Sequence, residues 1–213
     1  MGENMKNLLY FLTFLVSISL YAQGGEGFIK SAFNAVQAKN YPVAIEQYTK
    51  AIDNNSSYAP AYYGRGLAYF YSDNVSEALA DFNKAISIDK NYFEAYYAKG
   101  ICDLKGSKFN EAIANFDKAL SISNAFPEAL YARANANYYL ENYEKALTDY
   151  NKSIQLQPDY GLSYYGRAIT NKILKFNDAA LKDFDKYLEL NANRDGLESE
   201  VARLIKEIEM TKE

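Results

Sequence analysis

Three arginines and three aspartates recur in step along the chain. Arg65, Arg133 and Arg167 are each followed sixteen residues later by an aspartate: Asp81, Asp149 and Asp183. Where the arginine place holds Lys99 instead, the aspartate place holds the neutral Asn115. A planar guanidinium meets a carboxylate as a two-pronged fork, which a lysine ammonium cannot do. The joint change of both columns predicts a structural ion-pair bracket, either between the two helices of one unit or across adjacent units. A ladder of arginines for binding anions is the rival reading, but the bracket accounts for both columns at once.

Other chemistry is sparse. The 213 residues include 21 Tyr and 12 Phe but no His and no Trp. Without imidazole, the commonest general bases and zinc arrangements are excluded. The single cysteine, Cys102, stands in a column otherwise held by Asn34, Ala68, Ala136 and Thr170, which points to a small buried side chain rather than a nucleophile. It cannot form an internal disulfide. Glu141 and Glu144 fall between helical stretches and read as solvated, and no glycine-rich phosphate loop occurs. The expectation is a chain with no catalytic residues, no metal site and no cofactor. A net charge of -4 without a basic run gives nucleic acid nothing to bind.

The elements that carry these columns follow a period of 34. Tyr62-Tyr63-Gly64-Arg65-Gly66 returns as Tyr96-Tyr97-Ala98-Lys99-Gly100, Leu130-Tyr131-Ala132-Arg133-Ala134 and Tyr164-Tyr165-Gly166-Arg167-Ala168. A second block beginning at Ala78 has copies at Ala112, Ala146 and Ala180, and a divergent one at Ala44. Units therefore tile 25–58, 59–92, 93–126, 127–160 and 161–194. Each keeps a small eighth residue (Ala32, Gly66, Gly100, Ala134, Ala168) and an aromatic twenty-fourth (Tyr48, Phe82, Phe116, Tyr150, Phe184). Small residues let two helices approach closely while the aromatic fills the space beside them. The twenty-seventh is small in four units (Ala51, Ala85, Ala119, Ser153), but the fifth has Tyr187. Phe176 lies one residue ahead of the place matching Phe109 and Tyr143, which suggests a small loop adjustment there. Asn54, Asn91 and Asn124 are candidate helix breakers where proline is missing.

On these columns the chain resembles the tetratricopeptide repeat family. The resemblance implies an all-α fold, a right-handed α-α superhelix (solenoid) of five 34-residue helix–turn–helix repeats. First helices would line a concave face. There the groove positions carry Phe33, Tyr63, Leu67, Phe70, Tyr97, Ile101, Tyr131, Asn135, Tyr138, Tyr165 and Ile169, a run suited to a protein or peptide ligand. Packing between repeats is the competing use of the same tyrosines. The Lys and Asn pattern by which one variant of the family grips a C-terminal carboxylate is absent, Asn135 and Lys172 being isolated exceptions.

Two terminal segments complete the expectation. Lys6, the apolar stretch Leu8 to Leu20 and the small Ala22 have the layout of a secretory signal peptide, 1–22, cut after Ala22. The apolar stretch is shorter than the roughly 20 residues of a membrane-spanning helix, so no stable span should remain and the chain should work in the periplasm or outside the cell. At the other end, within 195–213, Leu197, Val201, Leu204, Ile205 and Ile208 make one apolar stripe. It predicts a C-terminal capping helix, with a coiled-coil seam as the alternative. A non-enzymatic interaction scaffold is the function expected, and an envelope assembly factor that oligomerises by its convex face or last helix is the runner-up.

Overall fold

The computed structural model describes residues 25–191 and 196–210, so the proposed signal segment lies outside the described residues. All regular structure among them is helical. Residues 25–37 form α1, followed by α2 (Tyr41–Asn54), α3 (Ala59–Tyr71), α4 (Val75–Ile88), α5 (Phe93–Lys105), α6 (Phe109–Ile122), α7 (Pro127–Tyr139), α8 (Tyr143–Leu156), α9 (Gly161–Ile173), α10 (Asn177–Asn191) and α11 (Glu198–Met210). The helices are the ones the 34-residue period demands: α2, α4, α6, α8 and α10 begin at 41, 75, 109, 143 and 177. The chain divides into two compact units, the first ending at Ala98 and the second starting at Lys99. In the first, α2 packs on α3 and α3 on α4. In the second, each helix from α6 to α11 packs on the next.

The turn inside each repeat is set by one residue in the left-handed region. Lys39, Asp73, Ser107, Glu141 and Lys175 have φ of 55, 66, 56, 60 and 65°. In each case two backbone bonds close the preceding helix, as where Lys39 N–H donates to Val36 C=O and Asn40 N–H to Ala35 C=O. The fifth repeat has the same pair, from Lys175 to Lys172 and from Phe176 to Asn171. The expected loop adjustment at Phe176 is therefore corrected. Phe176 occupies the cap position held by Asn40, Asn74 and Asn142, α10 starts in phase at Asn177, and only the side chain differs. The turn between repeats is capped by Asn55 and Asp89, whose side chains accept from Ser57 N–H and Asn91 N–H. Asn54 lies inside α2, so the breaker is its neighbour.

The core follows the small and aromatic columns. Ala44, Ala78, Ala112, Ala146 and Ala180 are buried, as are Tyr48, Phe82, Phe116, Tyr150 and Phe184. A Cβ at Gly66 would come within 2.6 Å of the Phe82 ring, and one at Gly100 within 2.4 Å of Phe116. Two of the aromatics also reach the next repeat. Tyr48 and Tyr150 lie against Gly64 and Gly166, where a Cβ would stand 2.7 and 2.8 Å from the phenolic oxygen. The phenylalanines Phe82 and Phe116 are followed at that place by Ala98 and Ala132. As the tyrosines lie, ring carbons and phenolic oxygen together take the room that an alanine methyl would need.

At the C-terminal end, α11 buries Val201, Leu204 and Ile208 in a cluster with Ala168, Phe184 and Tyr187. The large Tyr187 in the small column is part of this cluster, with its ring 5.3 Å from that of Tyr165. Lys172 donates to Glu207 at 2.8 Å and ties α11 to α9. The apolar stripe from Leu197 to Ile208 is thus packed against the fifth repeat of its own chain.

Candidate functional site

The arginine and aspartate columns meet in each of the three repeats that carry them. Arg65 donates through Nε and Nη2 to both oxygens of Asp81, each at 2.8 Å. Arg133 grips Asp149 the same way at 2.7 Å, and Arg167 grips Asp183 at 2.8 and 2.6 Å. The remaining nitrogen reaches back to the preceding repeat: Nη1 of Arg65 to Thr49, of Arg133 to Asp117, of Arg167 to Asn151. One guanidinium therefore joins three helices, within a unit and across to its neighbour. The aspartates are buried, and such a charge is stable only when paired and hydrogen-bonded. In the third repeat Asn115 donates instead to Asp103 at 2.8 Å.

The groove tyrosines are half-buried and held by other rings. Tyr63 lies 5.9 Å from Phe82 and 5.1 Å from Tyr92, and burial pushes its phenol up to about 12. Tyr131 stands between Tyr150 and Tyr160, and Tyr165 between Phe184 and Tyr187. Much of this column is therefore packing between helices, and its exposed edges line two clefts, one in each unit.

The first cleft, of about 800 Å³, is walled by Ile29, Phe33, Tyr58, Tyr63, Leu67 and Tyr92. Phe33 is 56% exposed and Tyr58 41%, an unusual amount of open apolar surface for two large side chains. Glu26 and Lys30 at its rim cancel in charge. The second cleft, of about 560 Å³, combines Tyr131, Tyr138, Tyr139, Tyr165 and Ile169 with Asn135, Lys172, Lys175 and Glu200. Here Asn135 and Lys172 are held by neighbours. Tyr150 donates its hydroxyl to Asn135 Oδ1 at 2.6 Å. The Tyr165 phenol is pushed up to about 12 by burial and by the neighbouring Glu200 carboxylate. Glu200 and Leu204 come from α11, so this cleft is completed by a helix outside the repeats.

Of the groove residues expected from sequence, Phe33, Tyr63 and Leu67 meet in the first cleft, and Tyr131, Asn135, Tyr138, Tyr165 and Ile169 in the second. Phe70, Tyr97 and Ile101 are half-buried and belong to neither wall. Tyr58 and Tyr92 went unnoticed although their column, continued by Phe126 and Tyr160, recurs every 34 residues. Glu200 had no repeat to announce it. Cys102 is buried, and desolvation pushes its thiol up to about 11, away from the reactive thiolate. No group of three or more metal-ligating side chains occurs among the described residues.

Comparison with known proteins places these helices. The tetratricopeptide repeat profile matches residues 59–92 and 127–160, and a second profile of the same repeat matches 93–126. No curated protein sequence matches the chain. Among solved structures, PilF of Pseudomonas aeruginosa superposes with a TM-score of 0.76 at 15% identity, covering 90% of this chain and 89% of that one. MamA of Desulfovibrio magneticus RS-1 (residue 41 to the end) gives 0.70 at 19% identity, over 81% and 98%. YrrB, described as a TPR protein with an unusual peptide-binding site, gives 0.65 at 22%, over 84% and 90%. At such identities the likeness speaks for the fold alone. The chain carries tetratricopeptide repeats, three of them consecutive from residue 59 to 160, flanked by helical hairpins with the same 34-residue spacing.

Proposed function

We propose that the chain is a non-enzymatic scaffold that holds a protein or peptide in its concave clefts, outside the cytoplasm. Proteins built on this repeat are in general interaction scaffolds, and YrrB is described as having a peptide-binding site. The observation that carries the reading here is the first cleft, where the exposed Phe33 and Tyr58 face a wall of Ile29, Tyr63 and Leu67. Apolar side chains of a ligand would remove these rings from water, the usual source of affinity in a helix-lined groove. The apolar stretch from Leu8 to Leu20 before Ala22 supports export. The assembly-factor reading, through a terminal-helix seam, gains no support from α11, whose stripe is buried in its own chain.

An affinity capture from an extracytoplasmic extract tests this, with the parent chain beside Phe33→Ala and Tyr139→Ser. Both substitutions are at well-exposed rings, so the fold should survive, which circular dichroism can check. Mutating Tyr63, Tyr131 and Tyr165 together would instead strip packing from the helices. A partner held by the parent and lost by a variant supports the scaffold; a partner held equally by all three moves binding off the clefts.

A further inference from the structure

We infer that the second cleft takes a proline-rich segment in the polyproline II conformation; this deepens the scaffold reading and rests on it. The argument starts from what the cleft can donate. Its column is apolar elsewhere (Phe33, Leu67, Ile101, Ile169), yet here it holds Asn135. Because the Tyr150 hydroxyl already occupies Asn135 Oδ1 at 2.6 Å, the amide N–H groups are what Asn135 offers a ligand. Lys175 and the hydroxyl of Tyr138 add donors to the same lining. The one carboxylate there, Glu200, lies beside the Tyr165 phenol, and the lining carries more donors than carboxylates. A cleft rich in donors suits a backbone that presents carbonyls without N–H groups, and a proline-rich backbone is of that kind.

The walls fit the same ligand. Tyr139 is 62% exposed, and its ring is held flat on Phe109 with centroids 5.0 Å apart and planes 15° from parallel. Tyr138 meets it edge-on at 79°. A rigid aromatic corner receives pyrrolidine rings with little loss of freedom on either side, since a polyproline II segment is already extended in solution. The first cleft has Phe33 in the column that holds Asn135 and a single lysine, Lys30, set beside Glu26, so the two clefts should prefer different ligands.

Isothermal titration of the full chain with a decaproline peptide tests the inference. Binding should appear with the parent chain, weaken at least about tenfold with Tyr139→Ser and with Asn135→Asp, and stay unchanged with Phe33→Ala. The aspartate replaces donors by acceptors at nearly constant shape, and Tyr139→Ser removes a ring that is more exposed than buried. Absence of binding to the parent chain overturns the inference, as does a loss caused by Phe33→Ala but not by Tyr139→Ser. A partner captured through Phe33 alongside a silent decaproline titration would leave the scaffold standing and remove only the proline-rich ligand.

Discussion

The two clefts are built on one repeat and differ at several lining positions. Where the first has Phe33 and Leu67, the second has Asn135 and Ile169. Tyr92 closes one side of the first, while the second is completed by Glu200 and Leu204 of α11. The first sets the exposed Phe33 and Tyr58 beside a balanced Glu26 and Lys30, whereas the second sets tyrosines beside Asn135, two lysines and Glu200. The repeat supplies the wall and the packing tyrosines in both, so ligand preference rests on a few positions that escape the repeat. A solenoid can therefore diversify its sites without touching the residues that hold it together.

The bracket offers the sharpest way to compare how the two units are held. Asp81→Ala should cost about 3 kcal/mol, because it leaves Arg65 half-buried with only Thr49 to accept from it. Asp149→Ala should cost less, about 2 kcal/mol, since Arg133 keeps the carboxylate of Asp117. Urea denaturation of the two variants beside the parent measures both. Equal losses would mean that the second partner of Arg133 contributes nothing, as many exposed ion pairs do.

That bracket was legible in the sequence because its two columns change together, Lys99 with Asn115, and because both recur at the repeat period. The helix starts were legible for the same reason. The clefts were only half legible. Tyr63 and Tyr131 share a column and a role in packing, but a column does not say how much of each ring stays exposed. Glu200 reaches its cleft from a helix that repeats nothing, and no spacing in the chain pairs it with Tyr165. Phe176 misled because an aromatic out of register looks like a shifted loop, whereas backbone bonds hold the turn and leave the cap side chain free to vary. The left-handed turn residues Lys39, Asp73, Ser107, Glu141 and Lys175 have no one side-chain type in common and include no glycine, so their backbone is what reveals them.

The contact between aromatic and glycine is a second common frame with a different expected strength. Gly64→Ala would bring a Cβ within 2.4 Å of the Tyr48 ring, and Gly166→Ala within 2.6 Å of Tyr150. Each should destabilise by about 1–3 kcal/mol. Adding Tyr48→Phe to Gly64→Ala should recover part of the loss, since Phe82 with Ala98 is that combination in the native chain. Adding Tyr150→Phe to Gly166→Ala should recover less, because it also takes the hydroxyl from Asn135. A double-mutant cycle by thermal unfolding reads both couplings, and equal recovery in the two units would show that the Tyr150–Asn135 bond adds nothing to stability.

The smallest effect expected lies at the left-handed turns, and its sign is the opposite. A side chain other than glycine costs about 1 kcal/mol in that conformation, less for aspartate and asparagine, whose short polar groups tolerate it. Glu141 in the second unit has φ 60° and Asp73 in the first has φ 66°. Glu141→Gly should therefore stabilise the chain by about 0.5–1 kcal/mol, the gain being trimmed by the greater freedom of glycine in the unfolded chain. Asp73→Gly should change stability by only a few tenths of a kcal/mol, because the relief is smaller and the same entropy is lost. Chemical denaturation of both variants decides it. If Glu141→Gly destabilises instead, the glutamate side chain contributes more at the turn than its backbone costs, and the five turns are not equivalent despite their common hydrogen bonds.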